Sequence, residues 1–182
     1  MAPRNFKQFS LFNAPDLFHG SNLRAGKRKI RRPLDTKRAI HLVLKSKKAT
    51  GAQSFLQPKY KNRIAQLIEQ NAKRFRIQLY RFENVGNHLH LLVKTGTRED
   101  FQNFQRVIAG KIAILITKAK KGQKKGKFWD GLSFTRVVNW GSDFTRLNRY
   151  FTKNKIESFG YGADIAKALL KDGFVVLAPL PP

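Results

Sequence analysis

The spacing of hydrophobic positions changes several times along this chain, and each change predicts a new secondary-structure element. An almost uninterrupted apolar run over residues 39–44, with His41 inside it, predicts a buried strand. Pro58 suits the first turn of a helix, and apolar residues follow it at helical spacing: Tyr60, Ile64, Leu67 and Ile68. Alternating apolar and polar residues over 75–80 then predict a second strand. The first part of the pattern is therefore strand, helix, strand.

The pattern continues with a tight turn, a third strand and a second helix. The turn spans residues 84–87 and contains Gly86, and the strand that follows spans residues 88–94. Thr97 with Asp100 three positions later resembles a capping box. The helix that it opens carries one apolar stripe: Phe101, Phe104, Val107, Ile108, Leu115 and Ile116.

A fourth strand and a last helix complete the regular elements. After a lysine-rich loop, residues 133–138 predict the strand, and Ser142 or Asp143 is expected to cap a helix that runs to about Phe159, with Gly160 as its stop. The order is β-α-β-β-α-β followed by one helix, which predicts an α+β, ferredoxin-like antiparallel sheet. In such a sheet the first two helices cover one face, so the last helix is expected on the other face.

The charge of the chain points to a polyanionic partner. Lys and Arg total 37 against 11 Asp and Glu, giving a formal net charge of +26 and a pI near 11.0. Nucleic acid is the expected partner, because neutralising phosphates releases counterions. No apolar run is long enough to span a bilayer, so a membrane partner is not expected. Without cysteine, thiolate metal sites and a cysteine nucleophile are excluded, and a reducing compartment is favoured.

The composition divides the chain into three parts. Residues 1–34 are expected to form a basic N-terminal arm that grasps phosphates, residues 35–162 the catalytic domain, and residues 163–182 a C-terminal tail. A disordered, solvated tail is the simpler interpretation of the arm, and the two are compatible because such arms order on nucleic acid.

Two histidines in the third predicted strand form a candidate metal site. Side chains alternate along a strand, so Leu89, Leu91 and Val93 are expected to face the helices while His88 and His90 share the open face. Imidazoles about 7 Å apart on one strand face can converge on one divalent cation. A His-x-His pair alone is more often incidental, so the metal hypothesis needs further residues.

The last predicted helix supplies two further candidate site residues, Tyr150 and Asn154. They are four residues apart and lie on one helix face, beside the apolar stripe of Phe144, Leu147 and Phe151. An amide oxygen can complete the ligand set of a hard cation, and a nearby tyrosine oxygen can attack phosphorus. The alternative is that Tyr150 packs as in any amphipathic helix and that Asn154 is solvated.

Together these residues resemble a known family. The segment 80–93, YRFENVGNHLHLLV, is similar to the HUH signature of single-tyrosine transposases, above all the REP-associated tyrosine transposases related to insertion-sequence enzymes. Tyr150-Phe-Thr-Lys-Asn154 resembles the family's Tyr-x-x-x-Asn-Pro, with Lys155 in place of proline, and Gly86 replaces another family proline. Neither departure carries chemistry, so they affect the subfamily more than the mechanism.

The resemblance implies a transposase that cuts and rejoins single-stranded DNA at hairpin-flanked sites. His88, His90 and Asn154 would hold Mg²⁺ or Mn²⁺, and Mn²⁺ tolerates imidazole better. Tyr150 would form a 5′-phosphotyrosine and release a 3′-OH. Attack by a second 3′-OH would later reverse this step and rejoin the strand. Tyr161 is a weaker candidate nucleophile. The expected unit is a monomer or homodimer in the bacterial cytoplasm, associated with the nucleoid.

Contacts to DNA are expected from basic residues of the arm, the strands and the lysine-rich loop: Arg28, Arg31, Arg32, Arg76, Arg81, Lys94, Lys121, Lys124, Lys125 and Arg136. His41 could approach the metal site from the neighbouring strand, but a structural role is commoner for such a residue. Two other functions stay open: a basic nucleic-acid-binding protein without chemistry, and a domesticated transposase that serves its host. The first leaves the combination of two histidines, a tyrosine and an asparagine unexplained.

Overall fold

The computed structural model describes residues 18–20, 31–120, 122–123 and 126–171 of the chain. Within them, five strands form one antiparallel sheet in the order β1-β5-β2-β4-β3. The strands are β1 Phe18–His19, β2 Ala39–Lys45, β3 Ile77–Asn84, β4 His88–Thr95 and β5 Phe134–Val138. The helices are α1 Pro58–Arg74, α2 Arg98–Thr117, α3 Ser142–Ser158 and α4 Ala163–Lys171, and a short 3-10 turn spans Gly51–Gln53. The predicted α+β class and ferredoxin-like order are confirmed.

The main core lies between the sheet and the first two helices. Leu42, Leu89 and Leu91 point from the central strands towards the predicted apolar stripes of α1 and α2 and are fully buried. The cap predicted for α2 is present, since the Thr97 hydroxyl accepts a hydrogen bond from the Asp100 amide at 3.1 Å. Burial of this apolar surface drives the sheet and both helices together.

The opposite face of the sheet carries α3 over a second, smaller core. Leu92 and Val138 from the sheet meet Leu147 and Phe151 from the helix, with Tyr80 and Phe144 at the margin of this core. The helix therefore packs as predicted from its apolar stripe, and α4 in turn packs against α3. In the part of the chain that the structure describes, no helix is long and apolar enough to cross a membrane.

The predicted arm contains a strand that the sequence pattern did not reveal. Phe18 and His19 pair with Arg136 and Thr135 of β5, so they form an edge of the sheet rather than part of a free arm. Arg32 is also fixed to the domain, because its guanidinium donates to the Ser133 carbonyl at 2.9 Å and to the Thr135 hydroxyl. The remaining arm, residues 1–17 and 21–30, lies outside the described residues.

Two details of the predicted element ends were wrong, and one helix was not predicted. The second predicted strand starts at Ile77 and not at residue 75, because Phe75 caps α1 and Arg76 turns the chain with a φ of 52°. The last helix is capped by Gly141, and no cap hydrogen bond comes from Ser142 or Asp143. Residues 163–171 form a helix inside the segment predicted to be a tail.

Candidate active site

Strand β4 places the histidine pair on the face of the sheet that α3 covers. His88 lies directly opposite Lys45 of β2, and His90 lies opposite Val43. Residues opposite one another on paired strands share a face, so all four side chains emerge on one side. The two imidazole centroids are 4.7 Å apart, and His90 is buried whereas His88 is partly exposed. The register therefore places the two histidines on one face of the sheet, as predicted.

A third histidine lies against the pair. His41 of the central strand β2 stacks on His90, and its Nε2 lies 3.0 Å from His90 Nδ1. Sequence reasoning left His41 unassigned, because its position in an apolar run indicates a core residue. Once β2 is known to pair with β4, the even spacing from His41 to Val43 places it on the same face as His90.

All three imidazoles are held in the neutral form near pH 7. Burial, reinforced by the Arg136 charge, lowers the pKa of His41 to about 3. Burial also lowers the pKa of His90 to about 2, with smaller contributions from His41 and His88. The pKa of His88 is lowered by burial and by the neighbouring Lys45 ammonium. Neutral imidazole is the form that binds a metal ion.

The hydrogen bond between the two buried histidines sets the chemistry of the remaining nitrogen. When His90 donates from Nδ1 to His41 Nε2, His90 Nε2 presents a lone pair. In the described residues this Nε2 is buried without a hydrogen-bond partner. A ligating histidine usually donates its other nitrogen to a neighbouring group, which fixes its tautomer and orientation. His41 is placed to act as that neighbour.

Helix α3 brings Tyr150 over this cluster. The phenol ring stands edge-on to the His90 imidazole with centroids 5.6 Å apart, and 44% of the residue remains exposed. The next residue, Phe151, is fully buried and packs against both His41 and His90. An apolar anchor thus holds the helix down, while the hydroxyl-bearing ring beside it stays accessible to a substrate.

Asn154 follows Tyr150 by one helical turn. Its Nδ2 is buried and has no hydrogen-bond partner in the described part of the chain. Two imidazoles and an amide are a ligand set that fits a divalent cation: the unpartnered Nε2 of His90 can offer a lone pair, whereas Asn154 would have to offer its Oδ1, because its Nδ2 is a donor. Among the described residues no cluster of three or more His, Cys, Asp or Glu side chains could hold a metal, so the site would depend on Asn154.

The predicted DNA contacts lie in different environments. Arg31 and Arg76 are exposed, although Arg76 pairs with Asp100, and Lys94 is half-buried. Arg136 pairs with Asp143 at 2.9 Å, close to the start of α3. Residues outside the described part of the chain are Arg28, Lys121, Lys124 and Lys125.

Arg81 is only 8% exposed and its guanidinium bonds to Glu83 and to α3, so it is not a surface cation. Its burial argues against a direct DNA contact, and the contact predicted for it stays a prediction.

A cleft beside the histidine pair was not predicted. It has a volume of about 270 Å³ and is lined on one side by Val43, Lys45 and Lys47 and on the other by Leu132 and Phe134, with Asp130 and Gly131 between. Two ammonium groups next to apolar surface suit a nucleotide, which has a charged phosphate and a flat base. In the sequence, the alternate positions Val43, Lys45 and Lys47, at the end of β2 and just after it, could have indicated this cleft.

A tyrosine beside neutral histidines, on a strongly basic ferredoxin-like domain, is the arrangement expected of a tyrosine transposase. The chain belongs to the family described as IS200-like transposases, whose model matches residues 36–151. The match confirms the resemblance to insertion-sequence and REP-associated enzymes and supports a role in DNA transposition and recombination. It includes His88, His90 and Tyr150, whereas Asn154 lies just beyond it. A search of curated proteins finds no match.

Proposed function

We propose that this transposase is a metal-dependent single-strand DNA endonuclease and strand-joining enzyme with Tyr150 as its nucleophile. The observation that carries the proposal is the juxtaposition of an exposed tyrosine with His90, whose Nε2 is buried without a partner in the described residues. A structural tyrosine at this place would not require two neutral histidines beneath it. Tyr161 is also exposed but lies beyond the end of α3.

His88, His90 and Asn154 would hold the cation, with His41 orienting His90. When bound, Mg²⁺ or Mn²⁺ would polarise the scissile phosphate and stabilise the charge that develops on it. Because the three histidines are neutral near pH 7, none has to lose a proton before binding a metal. Imidazole ligands favour Mn²⁺ over Mg²⁺, so we expect the stronger activity with Mn²⁺.

The chain's own chemistry centres on the Tyr150 hydroxyl. Its oxygen attacks the phosphorus, and its proton passes to solvent, which reaches the half-exposed ring. The bond from phosphorus to the 3′ oxygen breaks, and that oxygen takes up a proton to become a free 3′-OH. The product is a 5′-phosphotyrosine, which retains a phosphodiester bond. Attack by a second 3′-OH reverses the step, rejoins DNA and restores the tyrosine.

The proposed binding site of the nucleotide next to the scissile phosphate is the cleft lined by Lys45, Lys47, Leu132 and Phe134. It adjoins the histidines, because Lys45 lies opposite His88 on the paired strands. Exposed lysines can bind phosphate oxygens and the apolar side chains can contact a base. The remaining positive charge of the chain is available for the duplex stem of a hairpin.

The test is covalent adduct formation on labelled single-stranded hairpins taken from the DNA that flanks the gene. Wild-type protein with Mn²⁺ or Mg²⁺ should give an adduct that survives denaturing electrophoresis. Tyr150→Phe should abolish it, whereas Tyr161→Phe, which alters another exposed tyrosine, should leave it unchanged. Salt-sensitive binding with no adduct, across both metals and several flanking hairpins, would favour a non-catalytic DNA-binding protein instead.

A further inference from the structure

A buried ion pair connects the edge strand β3 to the tyrosine-bearing helix. Arg81 and Glu83 are 8% and 6% exposed, and Arg81 Nε donates to Glu83 Oε1 at 3.1 Å. Both lie on the face covered by α3, because Arg81 is opposite Leu92 and Glu83 is opposite His90. The metal and nucleophile assignments leave this pair without a role.

The Arg81 guanidinium bonds to helix α3 as well as to Glu83. One terminal nitrogen donates to the Asn148 carbonyl at 3.0 Å, and the other donates to the Thr152 hydroxyl at 3.0 Å. The same guanidinium lies over the Phe151 ring at 5.5 Å. Desolvating two charges costs free energy that a hydrophobic pair would not, so stability alone is a weak reason for them. Directional bonds to a helix instead define its orientation.

The geometry of α3 shows what that orientation controls. Successive residues of a helix are rotated by about 100°. Viewed from Phe151, which points at the sheet, Asn148 and Thr152 therefore lie on one flank of the helix. Tyr150 and Asn154 lie on the other flank. A rotation about the helix axis that released the first flank would carry Tyr150 and Asn154 to new positions relative to His90.

We propose that Arg81 and Glu83 are positioning residues that fix the rotation of α3 and thereby hold Tyr150 over His90. Arg81 does not touch the substrate; it acts through Asn148 and Thr152. The inference rests on the proposed function for its effect on DNA cleavage, but the placement of the tyrosine can be measured without any reaction.

The first experiment measures that placement in the DNA-free protein by fluorine NMR after incorporation of 3-fluorotyrosine. The chain has four tyrosines, and Tyr150→Phe identifies the Tyr150 signal. Arg81→Met should move this signal towards that of a solvated tyrosine, because the ring leaves the His90 imidazole. Thr152→Val, which removes only the acceptor hydroxyl, should give a smaller shift in the same direction. Arg106→Met removes an exposed arginine of α2 and should leave the signal unchanged.

The second experiment separates catalysis from DNA binding with the same variants. At saturating hairpin DNA, Arg81→Met should slow adduct formation by about 10- to 100-fold, because a misplaced nucleophile loses its near-attack geometry. Its affinity for DNA should stay within about twofold, since a buried guanidinium makes no phosphate contact. Arg81→Lys keeps a cation that can reach Glu83 and should recover part of the rate.

Two results would overturn the proposal. An unchanged Tyr150 signal in both Arg81→Met and Thr152→Val would show that the ion pair does not position the helix. A parallel loss of rate and affinity would show that Arg81 contacts DNA. If Arg81→Met does not fold, Thr152→Val and Glu83→Gln carry the same comparison with milder changes. Failure of the wild-type protein to form an adduct would contradict the proposed function and leave the NMR result to decide the positioning role.

Discussion

The two buried histidines should make the metal-free protein sensitive to mild acid. An unperturbed histidine has a pKa of 6.5, whereas His41 and His90 have values lowered to about 3 and about 2. Below pH 6.5 the unfolded chain therefore binds protons that the folded chain does not. Stability is fully present above 6.5 and is lost as the pH falls towards the folded-state values.

The expected loss follows from the size of the shifts. Each histidine contributes about 1.4 kcal/mol for every pH unit below the unfolded pKa, or about 2 kcal/mol at about pH 5. His41 and His90 together give about 4 kcal/mol, to which the lowered pKa of His88 adds in the same direction; this is a large fraction of the stability of a domain this size. Asp35 does not add to this window, because its hydrogen bond to Arg38 holds the pKa of the carboxyl below its ordinary value of 3.8.

The assay is urea unfolding in EDTA at about pH 7 and about pH 5, followed by tryptophan fluorescence. His41→Asn retains a hydrogen-bonding group beside His90 and removes one titrating residue, so its loss of stability between the two pH values should be about 2 kcal/mol smaller than that of the wild type. Equal stability of the wild-type protein at both pH values would refute the reasoning, since it would mean that the buried imidazoles gain protons without unfolding.

Three further perturbations test the site and the fold. Mn²⁺ at about 100 times its dissociation constant should stabilise the protein by about 2.7 kcal/mol, and thermal unfolding should show no such gain in His90→Ala. Phe151→Ala should cost about 3–5 kcal/mol in urea unfolding, because this fully buried ring anchors α3. A Cβ on Gly20 would lie 2.0 Å from the Ser133 carbonyl oxygen, so in Gly20→Ala hydrogen exchange should be faster at the paired amides of β5, with α1 as an unchanged control; a wild-type rate in β5 would be the contrary result.

The elements that could be predicted from the sequence are those with a long, regular apolar pattern. Helix α2 shows a cap and several turns of one stripe, and β4 begins with alternating His88, Leu89, His90 and Leu91, so their positions and faces follow from periodicity. Strand β1 has only the residues Phe18 and His19, and α4 only nine residues. Patterns so short do not distinguish a packed element from a tail, and both depend on contacts with β5 or α3.

The site shows the same division. His88, His90, Tyr150 and Asn154 could be proposed as site residues because motif spacing and a shared strand or helix face are properties of the sequence. The roles of Arg81 and Glu83 could not. Register in β3 shifts between Leu79 and Arg81, so counting alternate residues from Leu79 would place Arg81 among the helices of the main core. The irregularity turns it to the other face, where α3 lies.

The same irregularity also determines the charge beside the proposed metal ligands. Glu83 lies directly opposite His90, and an unpaired buried carboxylate there would favour the protonated, metal-repelling form of the imidazole. Arg81 on the same face pairs with that carboxylate, so the two charges compensate and burial keeps His90 neutral. The shift in register therefore brings both members of the pair to this face: Arg81 bonds to α3 and also balances the acidic group next to the histidine. A regular strand at this position would turn Arg81 and Glu83 together towards the main core, and neither would reach α3.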